Sequence, residues 1–301
     1  MRELINLQLM MFLLMIAGLI LRKKEIITAE GKRCLTDLII DVILPANIIK
    51  SFLIEFNRKI LLDFLAIFLI SIGIQIFCTF LSHVLYRKEE RKRRKVLQYG
   101  IICSNAGFLG NPIAEGVFGS MGLSLASIYL IPQRIVMWSA GISFFTESPD
   151  KKTLFKKVIT HPCIVAAIMG IVLMITQLPL PECLVETITA LSNCCTAMSM
   201  VVIGTILSDV DLKSMADKTV LSYTILRLVL IPAVVYGACL LLPVDSLITG
   251  VSTLLAAMPA GATTVILAAK YEGDAVFATK CVVFSTVISL ASTFLWSIVL
   301  L

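Results

Sequence analysis

The sequence predicts an all-α polytopic membrane protein: ten transmembrane helices in two inverted five-helix repeats, meeting at a pair of crossed, broken helices. Three observations carry that prediction. The 301 residues are 58% hydrophobic and 15% charged, with a mean hydropathy of +0.96, a balance that soluble domains do not show. Lysine and arginine collect in alternate loops, as they do on the two sides of a bilayer. Two apolar stretches of spanning length are interrupted at their centres, with Pro112 and Pro259 about 147 residues apart, close to half the chain.

Span 1 covers Leu4 to Leu21 and is followed by Arg22, Lys23, Lys24, Lys32 and Arg33. No small-residue cleavage site follows it, so it reads as a retained span and not a signal peptide. Span 2 runs from Cys34 to Phe56 with Pro45 inside, and span 3 from Ile60 to Tyr86. The run Arg87 to Lys95 is the densest in charge and reads as a cytoplasmic loop at anionic lipid, not as a nucleic-acid site. Span 4, Leu97 to Gly119, carries Asn105, Gly107, Gly110, Asn111 and Pro112 where a helix should be continuous. Proline removes a donor and clashes with the preceding turn, so the opening is expected at Gly110–Pro112. Span 5, Leu123 to Phe145, holds Pro132-Gln133-Arg134.

The polar segment Thr146 to Thr160 carries Lys151, Lys152, Lys156 and Lys157 and divides the halves. Residues 1–146 form the first repeat, 147–160 the cytoplasmic linker and 161–301 the second repeat. Span 6 is Pro162 to Leu178, with a turn at Pro179 and Pro181, and span 7 is Cys183 to Leu207. A short loop with Asp209, Asp211, Lys213, Asp217 and Lys218 leads to span 8, Val220 to Leu242, which contains Arg227 and Pro232. Span 9, Ile248 to Glu272, is broken at Met258-Pro259-Ala260-Gly261, and span 10 runs from Ala275 to the end. With the N-terminus outside, the inner loops hold 20 Lys and Arg and the outer ones 3. Both termini then lie on the outer side of a plasma membrane, the inner membrane in a bacterium. Five spans before the linker invert the second half relative to the first.

Broken helices at membrane depth are tolerated only where they face protein or a cavity. Half-helix N-termini offer unpaired N–H groups and a partial positive charge, a site for an anion. The half-helices expected after Pro112 (Ile113, Ala114) and after Pro259 (Ala260, Gly261, Ala262) supply such ends. Asn105, Asn111, Thr263 and Thr264 add neutral donors, and Gly261 allows close backbone approach. Arg134, charged in mid-span, is a counter-charge for an organic anion or a partner of Glu115 or of a backbone carbonyl. Arg227 and Lys50 are expected to snorkel. Asp41, one turn from Asp37, is a possible proton carrier, and Glu115 is the acid nearest the break. Nine cysteines lie without metal-type spacing, His83 and His161 stand apart, and no nucleophile or phosphate motif is present. Neither an enzyme nor a metal or cofactor site is expected.

At these stretches the sequence resembles the auxin efflux carrier family, which includes the plant PIN auxin carriers and bacterial malate and malonate permeases. Asn105-Ala-Gly-Phe-Leu-Gly-Asn-Pro112 with Phe118-Gly119 is similar to the family's fourth span. Met258-Pro259 through Leu267-Ala268-Ala269-Lys270-Tyr271 is similar to its ninth. Leu44-Pro45, Gln133 with Trp138, and Arg227 with Pro232 also fit. The resemblance implies a bile-acid-transporter-like fold. Spans 1, 2, 6 and 7 would form a scaffold and homodimer surface, and spans 3–5 and 8–10 an elevator-like transport core. It implies Asn105 as a substrate ligand and Pro112 and Pro259 as crossing prolines. Asp63 matches an acid of the plant members early in span 3, but Ile67 stands where those carry Lys.

The expectation is a secondary carrier for a small organic anion, a carboxylate such as malate, malonate or an auxin-like acid. Its binding residues would be Asn105, Asn111, Ile113, Gly261, Thr263, Gln133 and Arg134. Gly110, Pro112 and Pro259 would break the helices, and Asp41, Asp63 and Glu115 are candidates for coupling. The partners are the anion and the bilayer. The alternatives are a non-transporting membrane sensor or scaffold on the same fold, and a cation/proton antiporter, which would need acids at the crossing.

Overall fold

The computed structural model describes residues 2–138, 141, 144–145, 156, 159–208, 217–271 and 273–300. The linker lysines Lys151, Lys152 and Lys157, the loop residues Asp209, Asp211 and Lys213, and Glu272 lie outside the described residues. Among the described residues the chain is helical throughout, apart from one isolated antiparallel bridge. The helices are α1 (Arg2–Lys23), α2 (Ala29–Leu38), α3 (Leu44–Ser51), α4 (Arg58–Leu85), α5 (Arg91–Ile102), α6 (Asn111–Trp138) and α7 (Pro162–Thr176). They continue with α8 (Glu182–Asn193), α9 (Cys195–Ser208), α10 (Lys218–Ile225), α11 (Ile231–Leu240), α12 (Ser246–Ala256), α13 (Thr263–Lys270) and α14 (Ala275–Leu300). Among the described residues, five helical runs are long and apolar enough to cross a membrane: Arg58–Leu85, Ala106–Met137, Glu182–Ile206, Lys218–Leu240 and Ala275–Leu300. Leu65, Leu69, Ile76 and Phe80 point outward from α4, as a lipid-facing surface requires.

Pro45, Pro112 and Pro232 shape their helices in one recurrent way. Among the described residues three π turns, Ile39–Ile43, Ala106–Gly110 and Leu226–Leu230, each end one residue before an X-Pro pair: Leu44-Pro45, Asn111-Pro112 and Ile231-Pro232. Proline cannot donate to the fourth residue back, and its ring crowds that carbonyl. Widening the preceding turn to a five-residue spacing removes both conflicts without opening the helix. The expected opening at Gly110–Pro112 is therefore corrected. Gly110 closes a π turn and Pro112 lies in the first turn of α6, while the chain leaves the helix earlier, at Cys103, Ser104 and Asn105. Gly119, with φ +69° and ψ −163°, bends α6 sharply and separates its N-terminal piece from the stretch that carries Gln133 and Arg134.

The helices pack in two groups. One contains α1, α2, α3, α7, α8 and α9, and the other contains α4, α5, α6 and α10 to α14. Within the first group α1 and α9 touch backbone to backbone. A Cβ on Gly18 would lie 2.0 Å from the Val201 carbonyl oxygen, and one on Gly204 2.0 Å from that of Met15. Within the second, Arg93 joins three helices. Its guanidinium lies 3.2 Å from Asp217, which caps α10, and 3.5 Å from Asp274, whose carboxylate accepts from Phe277 N in the first turn of α14. The same guanidinium stacks 4.7 Å from the Phe277 ring centroid. Between the groups, Asn47 Nδ2 on α3 donates to Glu115 on α6 at 3.1 Å, and within the first group Ser192 on α8 donates to Asn47 Oδ1 at 2.6 Å.

Candidate functional site: the helix crossing and its cleft

The two interruptions meet. Ser104 and Ala260 form an antiparallel bridge, in which Asn105 N donates to the Pro259 carbonyl at 2.7 Å and Gly261 N to that of Cys103 at 3.0 Å. Ala260 N is taken up by Ser285 Oγ at 3.2 Å. Each interruption therefore satisfies the other's peptide groups, which would otherwise be orphaned at depth. A side chain at position 261 would begin 3.2 Å from the Cys103 oxygen, so glycine is what lets the two strands approach. Gln133 braces the first strand: its Nε2 donates to the Ser104 carbonyl at 2.8 Å, and Ser104 Oγ donates back to its Oε1 at 3.3 Å.

The helix starts at the crossing carry no side-chain cap, a property they share with α5 after Glu90 and α8 after Pro181. Thr28, Asn57, His161, Asp217 and Asp245 each cap a helix with a side-chain acceptor. Asn105, before the π turn that leads into α6, and Ala262, before α13, provide no such cap. Ala262 and Thr263 N–H make no hydrogen bond within the described residues. A start of this kind keeps its donors and its positive dipole end available to a ligand.

Beside the crossing, between the two helix groups, is a cleft of ≈ 180 Å³. Its walls include Asn105, Gln133, Arg134, Gly261 and Thr263, five of the seven binding residues expected from sequence. Arg134 is 8% exposed and has no hydrogen bond or ion pair among the described residues. Its guanidinium passes over Gly107, where a Cβ would meet Nη2 at 3.1 Å. Thr263 Oγ1 accepts from Tyr99 OH at 3.2 Å. Thr36, one turn beyond Lys32, and His161, just after the linker, line the same cleft, so it lies toward the end that bears the basic loops.

Other candidates fall elsewhere. Asn111 is fully buried, with neither amide atom hydrogen-bonded, and is absent from the cleft wall. Ile113 is also buried away from it. Both lie a turn or more past the true interruption, which is why the expectation misplaced them. Glu115 pairs with Asn47 and not with Arg134. Asp41 is exposed on a π turn beside Asp37, which pairs with Arg33 at 3.9 Å, and so faces away from the crossing. Asp63 lies near Lys59 and Asp245 at the opposite end of α4 from the basic run. Arg227 does not snorkel: it is 3% exposed, and its Nε has no partner.

The sequence reading missed Ser104, Tyr99 and His161. The first two carry no signal apart from their partners across the fold. His161 was visible as a residue directly before Pro162, a helix-start position. Its ring accepts from Cys163 N at 3.3 Å. Burial first, and the Arg134 charge second, press its pKa from the usual 6.5 down to about 3.

A family model described as membrane transport protein matches residues 4–156 and 150–297. An uncharacterized transporter of Methanothermobacter thermautotrophicus is 28% identical over 295 residues, covering 95% of each chain. An uncharacterized transporter of Methanocaldococcus jannaschii is 23% identical over 304 residues, covering 97% of each.

Proposed function

The chain belongs to the membrane transport protein family of auxin efflux carriers, and from that premise we propose that it is a secondary carrier for a small organic anion of the carboxylate class, such as malate, malonate or an auxin-like acid. The observation that carries the reading is Arg134, a buried cation with no anionic partner among the described residues, opening on the cleft beside two uncapped half-helix starts. An unpaired guanidinium in a low-dielectric wall is costly unless an anion visits it. A carboxylate would take the Arg134 fork, the Asn105 amide and the Ala262 and Thr263 N–H groups. The dipole ends and the amide would each contribute on the order of 1 kcal/mol.

In this reading the ten spans form two inverted repeats. The group containing α4, α5, α6 and α10 to α14 is the moving core, and the group containing α1 to α3 and α7 to α9 is the scaffold, which also makes a homodimer. The cleft lies on the boundary between the groups, so sliding one past the other would carry its contents across. With the basic loops inside, the present arrangement is open toward the cytoplasm. The Asn47 bond to Glu115 would then close the outer side of the same boundary, with Ser192 holding the Asn47 amide in place.

Counterflow of labelled malate and malonate in proteoliposomes tests the proposal. Arg134→Gln is expected to weaken half-saturation roughly tenfold or more, the scale of a lost charge-assisted bond. Asn105→Ala should weaken it about fivefold, the scale of one neutral bond. An Arg134→Gln protein that exchanges both acids like the parent would remove the cleft from the mechanism.

A further inference from the structure

On the outer flank of α4 and α6, away from the cleft, two cavities share Phe80. The first, ≈ 640 Å³, is walled by His83, Arg87, Arg91, Arg94 and Lys95 together with Phe80. The second, ≈ 540 Å³, is walled by Phe68, Ile72, Ile76, Ile135 and Val136 and adjoins the first at Phe80, in the groove between α4 and α6. Ile76 and Phe80 are 66% and 68% exposed, so the groove is open to the surroundings of the helix bundle.

We propose that these joined cavities bind an anionic phospholipid, with the phosphate held among Arg87, Arg91, Arg94 and Lys95 and one acyl chain lying in the α4–α6 groove. Charge comes first. Among the described residues, no carboxylate comes within ion-pair distance of Arg87, Arg94 or Lys95. Local bonds hold two of these side chains over the cavity: Arg94 Nη1 donates to the Arg87 carbonyl at 3.4 Å, and Lys95 Nζ to that of Phe145 at 3.0 Å. Four cations around one hollow attract a phosphate-bearing headgroup at the membrane surface.

Segregation comes second. A free phosphate or a nucleotide would use only the basic hollow, and a neutral hydrocarbon only the groove. An amphiphile with an anionic head uses both. Depth also agrees. From Ile76 to its end at Leu85, two residues before Arg87, helix α4 rises about 14 Å, close to half the roughly 30 Å thickness of a bilayer's hydrocarbon core. The site is independent of the carrier reading. On α6, Gln133 and Arg134 face the cleft while Ile135 and Val136 face the groove.

The test is thermal unfolding of the delipidated full chain in neutral detergent, titrated with dioleoylphosphatidylglycerol, dioleoylphosphatidylcholine or inorganic phosphate. A saturable rise in Tm is expected with phosphatidylglycerol and not with the other two. Arg87→Gln with Arg94→Gln should weaken its half-saturation roughly thirtyfold, given about 1 kcal/mol per cation near the surface. Ile76→Trp fills the groove from an exposed position and leaves the cations in place. It should also weaken phosphatidylglycerol, and it keeps the test open if the double variant does not fold. Equal responses to the two lipids, or no effect of Ile76→Trp, would overturn the proposal. A shift reproduced by inorganic phosphate would mean a simple anion hollow and would overturn it too.

Discussion

Arg134 and Arg227 show how little a residue's type says about its role. Each sits within an apolar helix, and each is buried. Arg134 opens on a cleft beside free helix ends, whereas Arg227 is enclosed at a π turn. Both were legible as charges in spans, but only the packing around them separates a ligand-facing cation from an interior one. His161 provides a prediction at this scale. Its folded pKa, about 3, is below its unfolded value near 6.5. The unfolded chain therefore binds a proton that the folded one refuses as pH falls through that window. The contribution of neutral His161 is complete above about pH 6.5 and declines below it. Thermal unfolding from pH 7 to pH 4 should show the parent losing stability faster than His161→Asn, which retains a helix cap without titrating. Parallel pH profiles would mean that the ring is not buried in its neutral form.

Among the elements, proline is the instructive case. Pro45, Pro112 and Pro232 each follow a π turn and leave the helix running, while Pro259 lies within a true interruption. The second break is legible in sequence because Pro259 and Gly261 both disfavour helix there. The first falls on Cys103-Ser104-Asn105, which no local rule singles out. It exists because Pro259 and Gly261 offer it two backbone bonds across the fold. Glycines divide in a similar way. Neither Gly119 nor Gly73 has another group within 4 Å of where a Cβ would stand, but Gly119 has φ +69°. Gly119→Ala should therefore destabilise by about 1–3 kcal/mol through backbone strain alone. Gly73→Ala, within α4, should stabilise by about 0.5–1 kcal/mol. Unfolding of the two variants in the same detergent compares these effects directly, and equal shifts would remove the special role of Gly119.

For the whole molecule, the proposed topology rests on charge, and the native cysteines can check it. Cys34 follows the basic residues after α1, and Cys183 lies near the Pro179 and Pro181 turn at the opposite end of the bundle; both are exposed. A membrane-impermeant maleimide applied to intact cells should label Cys183 and spare Cys34 until the membrane is opened. The reverse pattern would invert the orientation, and with it the side to which the cleft opens. Sequence alone determined that this chain is a membrane-embedded helical protein, that its charge is asymmetric, and that its second break is at Met258 to Gly261. Those properties follow from solvent transfer and from local backbone chemistry, which act on neighbouring residues. Tertiary structure decided where the first break falls, that Asn111 and Ile113 stay out of the cleft, that Gln133 braces the crossing, and that His161 stands near Arg134. Each of these depends on pairing between segments far apart in the chain, where a hydrogen bond or a burial cost is assigned only once the partners have met.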